Sequence, residues 1–191
     1  MLELRAATRL VGMPRLRIAR DREAAQFRYE MEASPQKSAR NAVAVRRVRA
    51  SDIGQVIALD QRVTGLAKPD YWHNAFSRYG KHRQREGAFL VAELRGAKSG
   101  SSILGFIIGE VRAWEFGSAP CGWVLVLSVE PRARLQGIGR SLFEAISTEF
   151  KRAGVGRMRT MVARDNRLHL MFFRSEGMLA GPYLQLEKEL D

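Results

Sequence analysis

Residues 126–143 constrain this chain more than any other segment, because they combine three features in a fixed order. An apolar run is followed by a turn that holds Gly137 and Gly139, and a helical pattern begins within the turn. Glycines remove side chains where a backbone must curl, and the free N–H groups at the start of a helix carry partial positive charge. The segment therefore predicts a strand, an anion-binding turn and a helix.

Arginines surround this turn. Arg132, Arg134 and Arg140 are permanent cations, and their guanidinium groups suit phosphate oxygens. Neither common nucleotide-binding loop is present, since Gly-x-x-x-x-Gly-Lys-Ser/Thr is absent and the third glycine of the dinucleotide fingerprint is missing. The glycines and arginines together favour a diphosphate ligand that is held largely by backbone N–H groups.

Hydrophobic periodicity predicts strands and helices that follow one another along residues 43–191. The predicted strands are 43–48, 87–94, 103–114, 123–129, 157–163 and 183–190. The predicted helices are one that begins after Ser51 and Asp52, then 71–79, 137–153 and 167–175. The helix 137–153 has the clearest pattern, because its apolar residues recur every four positions at Ile138, Leu142, Ile146 and Phe150.

Residues 1–42 do not fit this pattern. They alternate arginines with short apolar pairs and run into the loop-like sequence Ser-Pro-Gln-Lys-Ser at 34–38. We expect them to form a flexible N-terminal extension, with one domain over residues 43–191. Met31 lies shortly before the first predicted strand and is a second candidate for the start of translation.

The composition narrows the class of protein. The net charge of +12 invites a nucleic-acid ligand, but the basic residues are spread along the chain without a nucleic-acid-binding signature. No apolar run is long enough for a membrane span. The single cysteine, Cys121, has no Cys or His neighbour at zinc-ligand spacing, so we expect it to pack in the core and expect no metal site. A chain with one cysteine cannot form an internal disulfide, which fits a protein of the reducing cytoplasm.

Two motifs carry a resemblance to a known family. The pattern Val129-x-Pro131-x-x-Arg134-x-x-Gly137-x-Gly139 resembles the acetyl-CoA loop of the GNAT N-acetyltransferase superfamily. The later residues Asn166, Phe172, Phe173, Gly177 and Met178 are similar to the second segment of that family. The resemblance implies an α/β (α+β) fold with a mixed central sheet of six to seven strands, mostly antiparallel with a splayed parallel strand pair, flanked by helices.

The same resemblance implies acetyl-CoA as the cosubstrate and a set of residues that bind it. The pantetheine arm would pair with strand backbone at the splayed pair, and backbone N–H groups of the glycine turn would hold the diphosphate. The cofactor-binding residues implied are Leu127, Val129, Arg134, Leu135, Gln136, Gly137, Ile138, Gly139, Arg140, Asn166 and Phe173.

The catalytic groups are less evident from the sequence. Where the family often has a tyrosine that protonates the departing thiolate, this chain has Phe173, and the fourth strand lacks the glutamate that some members have. Glu110 and Glu115 are the carboxylates nearest in sequence, and alternation would place them on opposite faces of an unbroken strand. Our hypothesis is that one of them accepts the amine proton and that Ser128 positions a water molecule.

The acceptor pocket should be built from the first two helices and the loop after the third strand, with aromatic candidates at Tyr71, Trp72, His73, Trp114 and Phe116. The leading function is N-acetyl transfer to a primary amine of a small molecule or a protein, by direct attack in a ternary complex. A homodimer is compatible with this function. The alternatives are a non-catalytic acyl-CoA-binding module of the same fold and, on charge alone, a nucleic-acid-binding protein.

Overall fold

The computed structural model describes residues 43–80, 87–96 and 102–190. The extension expected at residues 1–42 and most of the turn expected at 98–102 lie outside these ranges. The described residues form one sheet that has helices packed on both faces.

Five strands and four α-helices make up the described part of the chain. The strands are β1 (Val43–Arg47), β2 (Gly87–Leu94), β3 (Gly105–Arg112), β4 (Cys121–Val129) and β5 (Met158–Thr160), and they lie in the sheet in this order. The helices are α1 (Ile53–Thr64), α2 (Pro69–Ala75), α3 (Ile138–Arg152) and α4 (Arg167–Ser175), and a π-helical turn over Phe76–Gly80 extends α2. Neighbouring strands are antiparallel except β4 and β5, which are parallel.

The central strands are buried on both faces, which explains why their sequences are almost continuously apolar. Along β2, Phe89 and Val91 pack with α1 and α2, whereas Ala88 and Leu90 pack with α3. Successive residues of a strand point to opposite faces, so one short run of sequence supplies both core layers. The burial of Cys121 at the start of β4 confirms its packing role.

Helix α3 covers one face of the sheet with the stripe that its periodicity predicts. Ile138, Leu142 and Ile146 are at most 1% exposed, and Phe150 is 4% exposed. Gly109 of β3 lies directly beneath this helix, where an added Cβ would be 2.6 Å from Phe150 Cζ. The close approach of helix and sheet therefore depends on a missing side chain in β3.

The parallel pair is short, and this opens the sheet. Residues 122–124 of β4 lie opposite residues 158–160 of β5, whereas β4 continues to Val129. Within the described residues, the last five positions of β4 have no partner in β5, and four of them, residues 126–129, are paired with β3. The resemblance implied a splayed parallel pair, and this geometry confirms it.

An irregularity in β4 lies where this opening begins. Ile108 of β3 is opposite Val126, but Gly109 is opposite Val124, so Leu125 is the extra residue of a bulge. Bulges bend a strand and increase its twist. The bulge therefore lies at the residue that follows the last β4 residue paired with β5, where the two strands separate.

The expected fold class is confirmed, with corrections to its strands. The sheet has five strands rather than six to seven, β5 is shorter than the expected 157–163, and β3 ends at Arg112 rather than at residue 114. The expected closing strand 183–190 is wrong, because those residues form no ladder hydrogen bonds within the described chain. Tyr183 instead packs against Phe116 and beneath Arg159, and the following leucines 184, 186 and 190 are 86–90% exposed.

We predict that Gly109→Ala destabilises the protein by about 1–3 kcal/mol, because the new methyl group overpacks the contact with Phe150. Urea unfolding measures the change, and adding Phe150→Leu should recover part of the loss. Gly54→Ala is the matched control, since nothing lies within 4 Å of its Cβ position and alanine favours a helix. Equal stabilities of the two single variants would contradict this account of the packing.

Candidate cofactor cavity and its surroundings

A cavity of about 380 Å³ opens at the C-terminal end of β4, between the start of α3 and one face of α4. The residues around it come from four parts of the fold: the end of α1, the end of β4, the turn before α3, and α4. They are Val63, Leu127, Ser128, Val129, Ala133, Arg134, Leu135, Gly137, Ile138, Gly139, Arg140, Leu168, His169, Met171, Phe172, Ser175 and Glu176.

The turn before α3 presents its backbone to this cavity. Leu135 and Gly137 have left-handed backbone, with φ of 65° and 78°, so the chain curls sharply before the helix starts. The first bond of the helix runs from Ser141 N–H to the carbonyl of Gly137. Within the described residues, the N–H groups of residues 135–140 donate no hydrogen bond, as expected for the first turn of a helix.

Close packing as well as access favours glycine at position 139. A Cβ at this position would lie 3.2 Å from Phe172 Cε2 of α4. The absence of that side chain lets α4 approach the turn and leaves the helix start open to a ligand. The turn is therefore shaped for an anion that contacts backbone.

Two arginines of the turn lie in the cavity wall, and they differ in their partners. Arg140 Nε lies 2.7 Å from Glu176 Oε1, so its charge is largely compensated. Arg134 has no ion pair among the described residues and supplies an uncompensated positive charge to the cavity. Arg132 is exposed in the turn Pro131–Ala133 and does not line the cavity.

The end of β4 adds an unusual polar atom to the wall. Ser128 is buried, and its Oγ has no hydrogen-bond partner among the described residues. An unpartnered buried hydroxyl is costly, which makes this atom a candidate contact for a polar ligand. Leu127 and Val129 flank it on the stretch of β4 that β5 does not cover.

Helix α4 forms the opposite wall, and here the structure differs from the sequence prediction. The lining face consists of Leu168, Met171, Phe172 and Ser175, which have helical spacing, together with His169 and Glu176. The sequence motif does not include this face, and the signal that could have revealed it is the i, i+3, i+4, i+7 spacing that begins at Leu168.

Three of the implied cofactor-binding residues lie outside the cavity lining. Phe173 is buried against Phe143 and the ring of His169, at centroid distances of 6.1 and 6.2 Å. Asn166 caps α4 by accepting a hydrogen bond from His169 N–H. Gln136 is exposed in the turn. The other eight implied residues all line the cavity.

The carboxylate of Glu110 is buried and held by three donors. Arg112 Nε lies 2.6 Å from Oε1, while Tyr79 Oη and Arg78 Nη2 lie 2.8 and 3.3 Å from Oε2. Burial alone would raise the pKa of Glu110, but the hydrogen bonds from Arg112 and Tyr79 outweigh burial and hold this pKa below its usual value. Glu110 is therefore a fixed anion.

Glu115 lies near the same arginine, because the chain turns after β3. Its Oε2 is 3.7 Å from Arg112 Nε, and its side chain is 48% exposed. Trp114 and Phe116 have left-handed backbone on either side of it, with φ of 66° and 53°. The strand does not run unbroken from Glu110 to Glu115, so the expected placement on opposite faces does not apply. Neither carboxylate lines the cavity.

The expected acceptor residues are scattered. Trp72 is a core residue at 1% exposure, and its Nε1 donates to Asp60 Oδ2 at 2.9 Å. Trp114 and Phe116 are 76% and 69% exposed, and Phe116 packs against Trp123. Of the two N-terminal helices, only α1 reaches the cavity, through Val63.

No group of three or more His, Cys, Asp or Glu side chains in residues 43–80, 87–96 and 102–190 is arranged to hold a metal ion. None of the helices in those ranges combines the length and apolar character that a membrane span requires.

Solved structures with a similar fold include three acetyltransferases. The aminoglycoside acetyltransferase AAC(6')-Iy, in complex with a CoA-containing bisubstrate analogue, superposes with a TM-score of 0.65 at 13% identity, over 78% of this chain and 99% of that chain. An aminoglycoside acetyltransferase from an uncultured soil metagenomic sample gives 0.60 at 21% identity, over 79% and 98%. Glucosamine-6-phosphate N-acetyltransferase from Arabidopsis thaliana gives 0.59 at 17% identity, over 78% and 99%.

The sequence itself gives the family. A search among curated proteins returned no match. The model of the acetyltransferase (GNAT) family matches residues 55–177, a span that includes β4, the turn before α3 and all of α4. Since the matched residues make up well over half of the chain, the protein belongs to the GNAT family of acetyltransferases.

Proposed function

We propose that the protein is an acetyl-CoA-dependent N-acetyltransferase that acts on a primary amine by direct attack in a ternary complex. The observation that carries this proposal is the cavity at the open end of β4, which is bordered by free backbone N–H groups, an uncompensated Arg134 and a mostly apolar wall. The N–H groups and the arginine suit a diphosphate, and the apolar wall suits a pantetheine arm.

The residues present fit an acyl-CoA. The N–H groups of residues 135–140 and the guanidinium group of Arg134 would hold the diphosphate. The exposed edge of β4 at Leu127 and Val129 would hydrogen-bond with the amides of the pantetheine arm, and Ser128 Oγ would gain a partner there. Met171 and Phe172 of α4 would cover the arm's apolar side. The thioester supplies an activated acyl group.

The chain's own contribution to the transfer is mainly orientation. Phe173 has no proton to donate, and its ring is buried behind the cavity wall. A thiol has a pKa of roughly 8.5, so a thiolate leaves with much less acid assistance than an alkoxide. The open end of β4 would hold the acyl group close to the acceptor amine, and proximity of this kind accounts for a large share of many enzymatic rate enhancements.

Of the two candidate bases, Glu115 is better suited to accept the amine proton. Its side chain is half-exposed, and its carboxylate has one arginine contact, with Arg112 Nε at 3.7 Å. Glu110 is already an acceptor for three donors, which lower its basicity. We therefore assign Glu110 to positioning Arg112 and Tyr79, and we propose Glu115 as the acceptor of the amine proton. Ser128 is opposite Phe106, at the other end of β4 from the Arg112 that Glu115 contacts, so we leave it out of this proton path.

This proposal covers two acceptor classes: sugars that carry an amine, as in the names of the aminoglycoside and glucosamine-6-phosphate acetyltransferases of similar fold, and amines of proteins. The buried free cysteine and the absence of a spanning helix among the described residues fit action in the cytoplasm, where we place the enzyme.

The second candidate function is a non-catalytic acyl-CoA-binding module. Phe173 and the lack of a carboxylate in the cavity other than the paired Glu176 favour that alternative.

Gly139→Glu should weaken acetyl-CoA binding by about two orders of magnitude, because its carboxylate would enter the turn and repel the diphosphate. Calorimetric titration of the wild type and the variant measures the change. Gly156→Glu is the matched control, since it adds the same charge where nothing lies within 4 Å, and it should bind like the wild type. Equal affinity of all three proteins would refute the cofactor site, while tight binding without transfer to any amine would favour the binding module.

Glu115→Gln should lower kcat by about 10²-fold or more with little change in the KM for acetyl-CoA, because a general base is lost while the cofactor cavity is intact. Glu110→Gln should act mainly on thermal stability. Steady-state kinetics with an accepted amine from pH 6 to 9 distinguishes the two roles. Unchanged kcat in both variants across this range would exclude both carboxylates as the base.

A further inference from the structure

His169 is the one histidine of the described residues that lines the cavity, and neither the sequence motif nor the proposed function uses it. It lies in the first turn of α4, half-buried, with its ring against Phe173. His169 therefore lies on the α4 wall of the cavity, and the turn before α3 forms another wall of the same cavity.

Asn166 determines which ring nitrogen carries the proton in neutral His169. The Oδ1 atom of Asn166 accepts a hydrogen bond from the His169 backbone N–H at 3.1 Å, so its Nδ2 is the amide donor. That Nδ2 lies 3.1 Å from His169 Nδ1. Since Nδ1 must accept this bond, the hydrogen of the neutral ring is on Nε2, which leaves one N–H donor for another partner.

The charges around the ring favour the binding of an anion. The charged side chains that line the cavity with His169 are Arg134, Arg140 and Glu176, and the last two are paired with each other. Phe173, which packs against the ring, carries no charge. Burial and the positive charge of Arg134 lower the pKa of His169, so the protein without a bound anion favours the neutral ring.

We propose that His169 is a further ligand of the cofactor diphosphate, donating its Nε2–H beside Arg134, and that the ring takes up a proton when the cofactor binds. This inference rests on the proposed function, and it identifies an anion-binding residue on α4 that the glycine turn does not include. A diphosphate between the ring and Arg134 would offset the repulsion from the arginine and favour the imidazolium.

The direction of the pH effect follows from linkage. Because the pKa of His169 is lower in the free protein than in the complex, proton uptake occurs at pH values between the two. Affinity should therefore rise as the pH falls through this interval, and it should stop rising below the pKa of the free protein. Above the pKa of the complex, His169 would act as a neutral donor only.

The test is calorimetric titration of the full chain with 3′-dephospho-CoA, which has the diphosphate but lacks the 3′-phosphate that itself titrates near neutral pH. Titrations in buffers of different ionisation enthalpy, without phosphate, give the number of protons taken up. We expect net uptake near pH 6.5 in the wild type. Binding without proton uptake would overturn the inference and leave the proposed function intact.

Two variants separate the charge of the ring from its hydrogen bond. His169→Gln keeps an N–H donor but cannot titrate, so proton uptake and the pH dependence of affinity should disappear. His169→Ala should also weaken binding at every pH, by about tenfold at pH 6.5. The control is His73→Gln, an exposed residue of α2 outside the cavity lining, which should retain normal proton uptake.

A measurement on the wild type covers the case in which these variants do not fold. The pKa of His169, followed by NMR through its ring C–H signal, should rise on addition of 3′-dephospho-CoA, and an unchanged pKa would overturn the inference. Proton uptake by His169→Gln equal to that of the wild type would also overturn it. If neither CoA nor 3′-dephospho-CoA bound the wild type, the proposed function itself would fail.

Discussion

The pairing of β4 with β5 ends after three residues, and the arrangement of the cavity depends on this. A parallel strand that stayed paired along its length would cover the edge of β4 with hydrogen bonds and leave no room beside it. Here the bulge at Leu125 and the early end of β5 leave the last residues of β4 uncovered on that side within the described chain. The turn before α3 begins at that same end of β4, so the free strand edge and the free helix N–H groups border one cavity.

The packing of α3 keeps these two features together. Its apolar stripe is anchored in the core through Ile138, Leu142 and Phe150, and the small residues of the sheet beneath it allow a close approach. The start of the helix is consequently held at a defined distance from β4. A binding turn with this support requires little reorganisation when a ligand arrives, which favours affinity.

Much of this could be predicted from the sequence, because the decisive signals are local. The glycine turn, the periodicity of α3 and the apolar runs of β2 and β4 each specify their own structure within a few residues. The strand expected at 183–190 could not be judged in this way, since an alternating pattern says nothing about whether a sheet edge is available. His169 was missed for a similar reason: its importance comes from Arg134 and Asn166, and only the fold brings Arg134 to it.

The central claim is that backbone N–H groups of the turn before α3 hold the cofactor diphosphate, and hydrogen–deuterium exchange tests this claim most directly. With saturating acetyl-CoA, the account predicts slower exchange for the amides of residues 135–140 and of 127–129, and little change in β1 and α2. Unchanged exchange at residues 135–140 while acetyl-CoA is fully bound would contradict the account.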